Sequence, residues 1–159
     1  MAKKRLNLLP DFLDLLRSFI AADVRFLVVD AHAVAVHGQI RATKDLDVWI
    51  DATPSNGPKV YEALRRFGAP LFDLAVEDLS RPGIFFQIGI APFRIDILTH
   101  IEGVIFDEAW PRRIESICED VTFPVLGRED LIRNKRAVGR PSDLGDVEAL
   151  EAIDRAKKR

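Results

Sequence analysis

The chain has 159 residues, 48% hydrophobic and 30% charged, which is enough apolar material for one compact domain and too little length for two comfortable ones. A formal net charge of -2 excludes a protein that holds nucleic acid mainly through a large positive excess, and leaves only local basic patches for such contact. The single cysteine, Cys118, excludes an internal disulfide and any cysteine-rich zinc framework, and is read as a structural residue of a reducing compartment.

The basic start Met1-Ala2-Lys3-Lys4-Arg5 leads into Leu6 to Pro10 and then Asp11 and Asp14, too interrupted for a secretory apolar region. No run approaches the roughly 20 apolar residues of a membrane span, so the expectation is a cytoplasmic protein without membrane contact. After Pro10, the spacing of Phe12, Leu15, Leu16, Phe19 and Ile20 predicts an amphipathic helix that stops near Ala22-Asp23. Arg25 to Val29 reads as a buried strand. Asp30 is placed to cap a short helix over Ala31 to His37, which Gly38 would end.

A basic loop carrying Arg41 and Lys44 precedes the most informative stretch, Thr43-Lys44-Asp45-Leu46-Asp47-Val48-Trp49-Ile50-Asp51. As a strand it has two faces, Leu46, Val48 and Ile50 on one and Asp45, Asp47, Trp49 and Asp51 on the other. Residues 52–57 are dense in turn formers, and Val60, Leu64 and Phe67 mark a helix closed by Gly68. Arg81-Pro82-Gly83 is another turn. Ile84 to Ile90 and Phe93 to Leu98 are two β-rich runs joined by Ala91-Pro92, a spacing that suits a hairpin.

Ile114 to Ile117 and Val121 to Val125 follow as strands, with Pro124 suggesting an edge position. The last third is helical. Leu131, Ile132, Lys135 and Val138 fit one helix broken near Gly139-Arg140-Pro141, and Ser142 is placed to cap a final helix carrying Val147, Leu150 and Ile153.

Asp96 repeats the pattern of Asp45 and Asp47: a carboxylate in a β-rich run, with Ile95 and Ile97 turned to the opposite face. If the two strands are neighbours, the three carboxylates converge. Oxygen-only clusters suit hard cations such as Mg²⁺, which keeps several waters and completes its octahedron with substrate phosphates. That chemistry serves phosphoryl and nucleotidyl transfer. Arg41 and Lys44 either hold phosphate or neutralise the aspartates, and Lys135 and Arg140 either close over a triphosphate or pair with Asp143 and Asp146. Trp49 is either a stacking surface for a base or part of the core. His32 and His37, five apart and roughly 140° around a helix, do not share a metal face.

Phe26 to Val29, Ala31-His32-Ala33-Val34-Ala35, Arg41 to Asp47 and Arg94 to Thr99 together resemble the nucleotidyltransferase superfamily whose palm-like fold is shared with DNA polymerase beta. The likeness is to small bacterial members related to abortive-infection and toxin-antitoxin enzymes, and Asn134 to Asp146 looks like the family's helical close. The resemblance implies an α/β (α+β) domain over residues 1–159, a small mixed sheet with packed helices and a helical C-terminus. It also implies a catalytic and metal-binding trio of Asp45, Asp47 and Asp96 holding Mg²⁺, with Mn²⁺ as the alternative ion. Implied partners are a nucleoside triphosphate held by His32, Arg41, Lys44, Lys135 and Arg140, a hydroxyl acceptor on tRNA, protein or a small molecule, and an antitoxin-like protein.

One departure carries a second reading. Where the family has Gly-Gly, this chain has Asp30-Ala31, so side chains narrow the backbone approach to phosphate and a carboxylate competes with it. A relative that keeps its acids but binds without turnover fits that departure. A phosphatase of the haloacid-dehalogenase type also uses Asp-x-Asp, but its acids follow a strand, whereas here the apolar strand residues come after Asp45.

Overall fold

The computed structural model describes residues 3–39, 45–90 and 93–158. In chain order the elements are β1 (Lys4–Arg5), α1 (Pro10–Ala21), β2 (Phe26–Val29), α2 (Asp30–Val36), β3 (Asp45–Ile50), α3 (Gly57–Phe67), β4 (Phe85–Ile90), β5 (Phe93–Leu98), α4 (Phe106–Ala109), β6 (Ile114–Cys118), β7 (Val121–Val125), α5 (Arg128–Val138) and α6 (Pro141–Lys157). Short 3-10 turns lie at Val76–Ser80 and Trp110–Arg112. The strands form one mixed sheet in the order β1-β6-β7-β2-β3-β5-β4, and the chain closes with two helices, as the α/β reading expects.

Local chemistry explains the main boundaries. Pro10 sits in the first turn of α1, where its missing N–H is no loss, and Phe12, Leu15, Leu16 and Phe19 turn inward. Gly68 ends α3 in the left-handed conformation at φ +93, a geometry that glycine adopts without strain. The helices α1 and α3 pack together, and Phe12 and Phe67 meet the sheet side that carries Ile88 and Ile95. Leu46, Val48, Ile50 and Ile97 are fully buried, each worth about 1.5–3 kcal/mol relative to exposure, so the apolar alternation locks the facing of both central strands.

Register then positions the acids. The antiparallel pairing of β2 with β3 sets Val29 opposite Asp47, the parallel pairing of β3 with β5 sets Asp47 opposite Asp96, and the β4–β5 hairpin sets Gln87 opposite Asp96. Val29, Asp47, Asp96 and Gln87 thus form one row across four strands. Asp30 follows Val29 directly and stands at the end of that row.

Three local expectations are corrected. Asp30 does not cap α2: it is the first helical residue, and its carboxylate bonds to Lys135 instead. Ser142 does not cap α6: Arg140 holds the N-cap position, and its amide donates to the Asp143 carboxylate at 3.3 Å. Strand β7 is not an edge but lies between β6 and β2. Pro124 is tolerated because β7 meets β2 at Val125, and the Leu126 amide is the one that donates to Val28 O. The short strand β1 has no apolar pattern to announce it. Among the described residues, no helix is long and apolar enough to cross a membrane.

Candidate functional site

The acids of β3 open the strand. Alternation turns Asp45 and Asp47 away from the buried Leu46 and Val48, onto the side of the sheet reached by Asp96 of β5. Gln87 donates from Nε2 to Asp96 Oδ1 at 2.9 Å, which holds that carboxylate in place from the neighbouring strand. Asp45 pairs in register with Arg94, whose Nε stands 3.9 Å from Asp45 Oδ1.

Desolvation and like charge act together on Asp47. Burial, then the charges of Asp30 and Asp96, a hydrogen bond with Asp96 and the charge of Asp45 push its carboxyl up to about 8 from an ordinary value of 3.8. The Asp47 carboxyl is therefore largely protonated at neutral pH, the expected result for a desolvated acid beside other carboxylates.

A contrasting cluster lies beside it. Lys135 of α5, with 3% of its side chain exposed, donates from Nζ to Asp30 Oδ1 at 2.5 Å and to Asp143 Oδ1 at 3.2 Å, with Asp146 Oδ2 at 3.3 Å. Burial opposes the charge on Lys135, but these carboxylates outweigh it and raise its pKa. Burial likewise opposes ionisation of Asp143, yet Arg140, whose Nε donates to Oδ2 at 2.7 Å, and Lys135 together hold it below the usual value. The pair with Lys135 ties the start of α2 to the C-terminal helices. Asp30 adopts φ +55, the left-handed conformation that a glycine would take freely and that Asp tolerates better than most residues.

Among the remaining sequence candidates, His32 is buried on α2 with its ring edge-on to Phe12 at 5.8 Å. Among the described residues its Nδ1 has no hydrogen-bond partner, and burial lowers its pKa to about 4 despite a backbone hydrogen bond at Asp45, so the ring is neutral. Arg41 and Lys44 lie outside the described residues. Arg140 is largely exposed and Lys135 is enclosed, so only the first presents its cation to solvent. Trp49 belongs to the core, packed edge-on against Phe106 at 4.9 Å.

Among the described residues, no group of three or more His, Cys, Asp or Glu side chains is arranged as it stands to hold a metal ion. Asp47 and Asp96 are opposite each other in register, and Asp45 lies two residues upstream of Asp47 on the same face. The donor chemistry still fits a hard divalent cation: the set is all oxygen, and an ion there would offset the burial and like charge that raise Asp47.

Sequence reasoning missed Gln87 and the pairing of Asp30 with Lys135. The first was within reach, because a hairpin turning at Ala91-Pro92 pairs Ile90 with Phe93 and, counting back, Gln87 with Asp96. The second has no local signal, since the partners are 105 residues apart.

No family model matches the sequence, and no curated protein matches it either. Solved structures do. The lincosamide antibiotic adenylyltransferase LnuA, in its lincomycin-bound crystal structure, is similar at a TM-score of 0.59 and 16% identity, covering 93% of this chain and 99% of that one. A Thermotoga maritima protein assigned as a nucleotidyltransferase is similar at a TM-score of 0.55 and 16% identity, covering 98% of both chains. The resemblance read from the strand motifs and the likeness in three dimensions agree: the chain has a nucleotidyltransferase-like fold.

Proposed function

We propose that this chain transfers a nucleotidyl group from a nucleoside triphosphate to a hydroxyl acceptor, with Asp45, Asp47 and Asp96 as its metal-binding and catalytic acids. The observation that carries this reading is the register of β3 and β5, which sets Asp47 against Asp96 although 48 residues separate them in the chain. The fold shared with an adenylyltransferase supports it. The three carboxylates would hold Mg²⁺, which supplies neutralisation of phosphate oxygens and acidifies a nearby hydroxyl. Asp96, held by Gln87, accepts the proton of the acceptor hydroxyl as its oxygen bonds to the α-phosphorus. The α–β phosphoanhydride bond breaks and pyrophosphate leaves past Arg140, the exposed cation of the neighbouring cluster.

A second reading has its own observation. The Asp30 carboxylate occupies Lys135 at the start of α2, so an approaching triphosphate meets an acid where the family places glycine. A protein that binds a nucleotide without turnover fits that contact.

One experiment separates the two readings. The native chain is incubated with each labelled nucleoside triphosphate and Mg²⁺ or Mn²⁺, with total tRNA, protein or a lincosamide as acceptor, beside Asp96→Asn and Asp30→Gly. Pyrophosphate release that disappears in Asp96→Asn is the expected result. Calorimetric binding without release, with turnover gained in Asp30→Gly, would establish the second reading; neither binding nor release in any variant would overturn both.

A further inference from the structure

The two edges of the sheet are built differently. Edge β1 is two residues long, and both, Lys4 and Arg5, are charged. Edge β4 is six residues long, and the run Ile84 to Ile90 contains no charged residue and no proline. Short charged edges resist strand addition, whereas long uncharged ones invite it.

Hydrogen-bond alternation shows which groups of β4 are available. The Ile84 carbonyl accepts from the Thr99 amide and the Ile84 amide donates to Thr99 Oγ1, so Ile84 is turned toward β5. In an antiparallel pair the next residue then points outward, as does every second one after it. Phe85 and Gln87 therefore direct N–H and C=O groups away from the sheet, and among the described residues none takes them up. Exposed apolar surface accompanies this edge: Phe85 is 58% exposed and Phe93 52%. On the face opposite Phe85, which Phe93 shares with Ile88 and Ile95, an open apolar cavity of about 350 Å³ is lined by these three with Leu9, Phe12 and Phe67.

We propose that β4 pairs antiparallel with β4 of a second copy of this chain, extending the sheet across a two-fold axis at Gln87. An uncharged strand can meet its own copy without like-charge repulsion. With Gln87 on the axis, Phe85 of one copy lies opposite Gly89 of the other, and Phe86 lies opposite Ile88. The first pairing matches a large ring to a position without a side chain, and the second joins two apolar groups. Gly89 cannot easily become larger, since it has φ +96 and a Cβ there would stand 2.8 Å from Phe93 O. Such an isologous contact closes as a dimer and leaves β1 outside it.

Sedimentation velocity on the full chain tests this, with Phe85→Lys at the proposed interface and Lys4→Glu at the opposite edge. The expected result is a dimer for the native chain and for Lys4→Glu at roughly 100 µM, where micromolar affinity leaves little monomer, and a monomer for Phe85→Lys. Amide exchange on the native chain provides a readout that needs no variant: Phe85 and Gln87 should slow by about sevenfold as concentration rises from about 1 µM to that level, following the fall in monomer fraction for a micromolar Kd. A native monomer at 100 µM (roughly 100-fold above a micromolar Kd), a dimer that survives Phe85→Lys, or β4 amides insensitive to concentration would overturn the proposal.

Discussion

Around Lys135, Asp30, Asp143 and Asp146 surround a single buried ammonium, and every charge there has an opposite within 3.3 Å. Across the sheet row, Asp47 and Asp96 stand opposite each other in register, and the carboxyl of Asp47 is lifted to about 8. Both clusters are made of aspartates partly withdrawn from water. In the first the acids are compensated from within the fold and serve to join α2, α5 and α6. In the second, no cation among the described residues stands against Asp47, and the like charges around it lift its carboxyl instead.

The largest effect expected from this contrast is on turnover. Asp96→Asn should reduce pyrophosphate release by about 10²- to 10⁴-fold, the usual contribution of a positioned acid or base, while the denaturation midpoint of the metal-free protein stays level or rises. A large loss of stability without loss of turnover would mean that the two clusters have been assigned the wrong way round. Lys135→Met should do the opposite. It strands the buried Asp143 and Asp146, and guanidinium unfolding should show a loss of about 3–5 kcal/mol, toward the lower end because Arg140 still holds Asp143.

The pH dependence of stability sharpens the comparison further. Asp47 titrates at about 8 in the native state against 3.8 when unfolded, so the native state binds the extra proton, and its contribution is lost as pH rises through that window. His32 works the other way, since burial lowers it from 6.5 to about 4 and its contribution grows as pH rises between those values. The two oppose each other below about 6.5, so the Asp47 effect stands clear from about 6.5 to 8. Metal-free protein should lose stability across that interval, Asp47→Asn should flatten the profile, and Mg²⁺ should restore stability most at its upper end. The smallest effect belongs to Asp30→Gly. Relief of the left-handed conformation, about 1–2 kcal/mol, is set against a half-exposed ion pair, leaving a net change within about 1 kcal/mol by thermal denaturation.

Much of this was legible in the sequence because it rests on short-range rules. Alternation in Asp45–Ile50 and Phe93–Leu98 assigns Asp47 and Asp96 to strand faces away from the apolar residues, and the motif resemblance makes the two strands neighbours. Arg140, three residues before Asp143, was within reach of it by local spacing, whereas Lys135 reaches it only across the break between α5 and α6. Asp30 was misread because a residue before a helix looks like a cap whatever lies across from it, and α5 supplies a stronger partner from the far end of the chain. Pro124 was misread because a proline signals only a missing donor, and whether a neighbour needs that donor depends on where the pairing of β2 and β7 begins. Arg41 and Lys44 fall outside the described residues.

The parallel alignment of β3 and β5 also sets when the acid pair comes into being. Strands that run the same way cannot be joined by a tight turn, so α3 and β4 must both be threaded before β5 reaches its place beside β3. Contacts of such long sequence separation form late in folding, and stopped-flow refolding should develop the coupled titration of Asp47 only in its final phase. An unfinished chain therefore cannot display the two carboxyls together, and whatever the pair is to bind must wait until the centre of the sheet is complete.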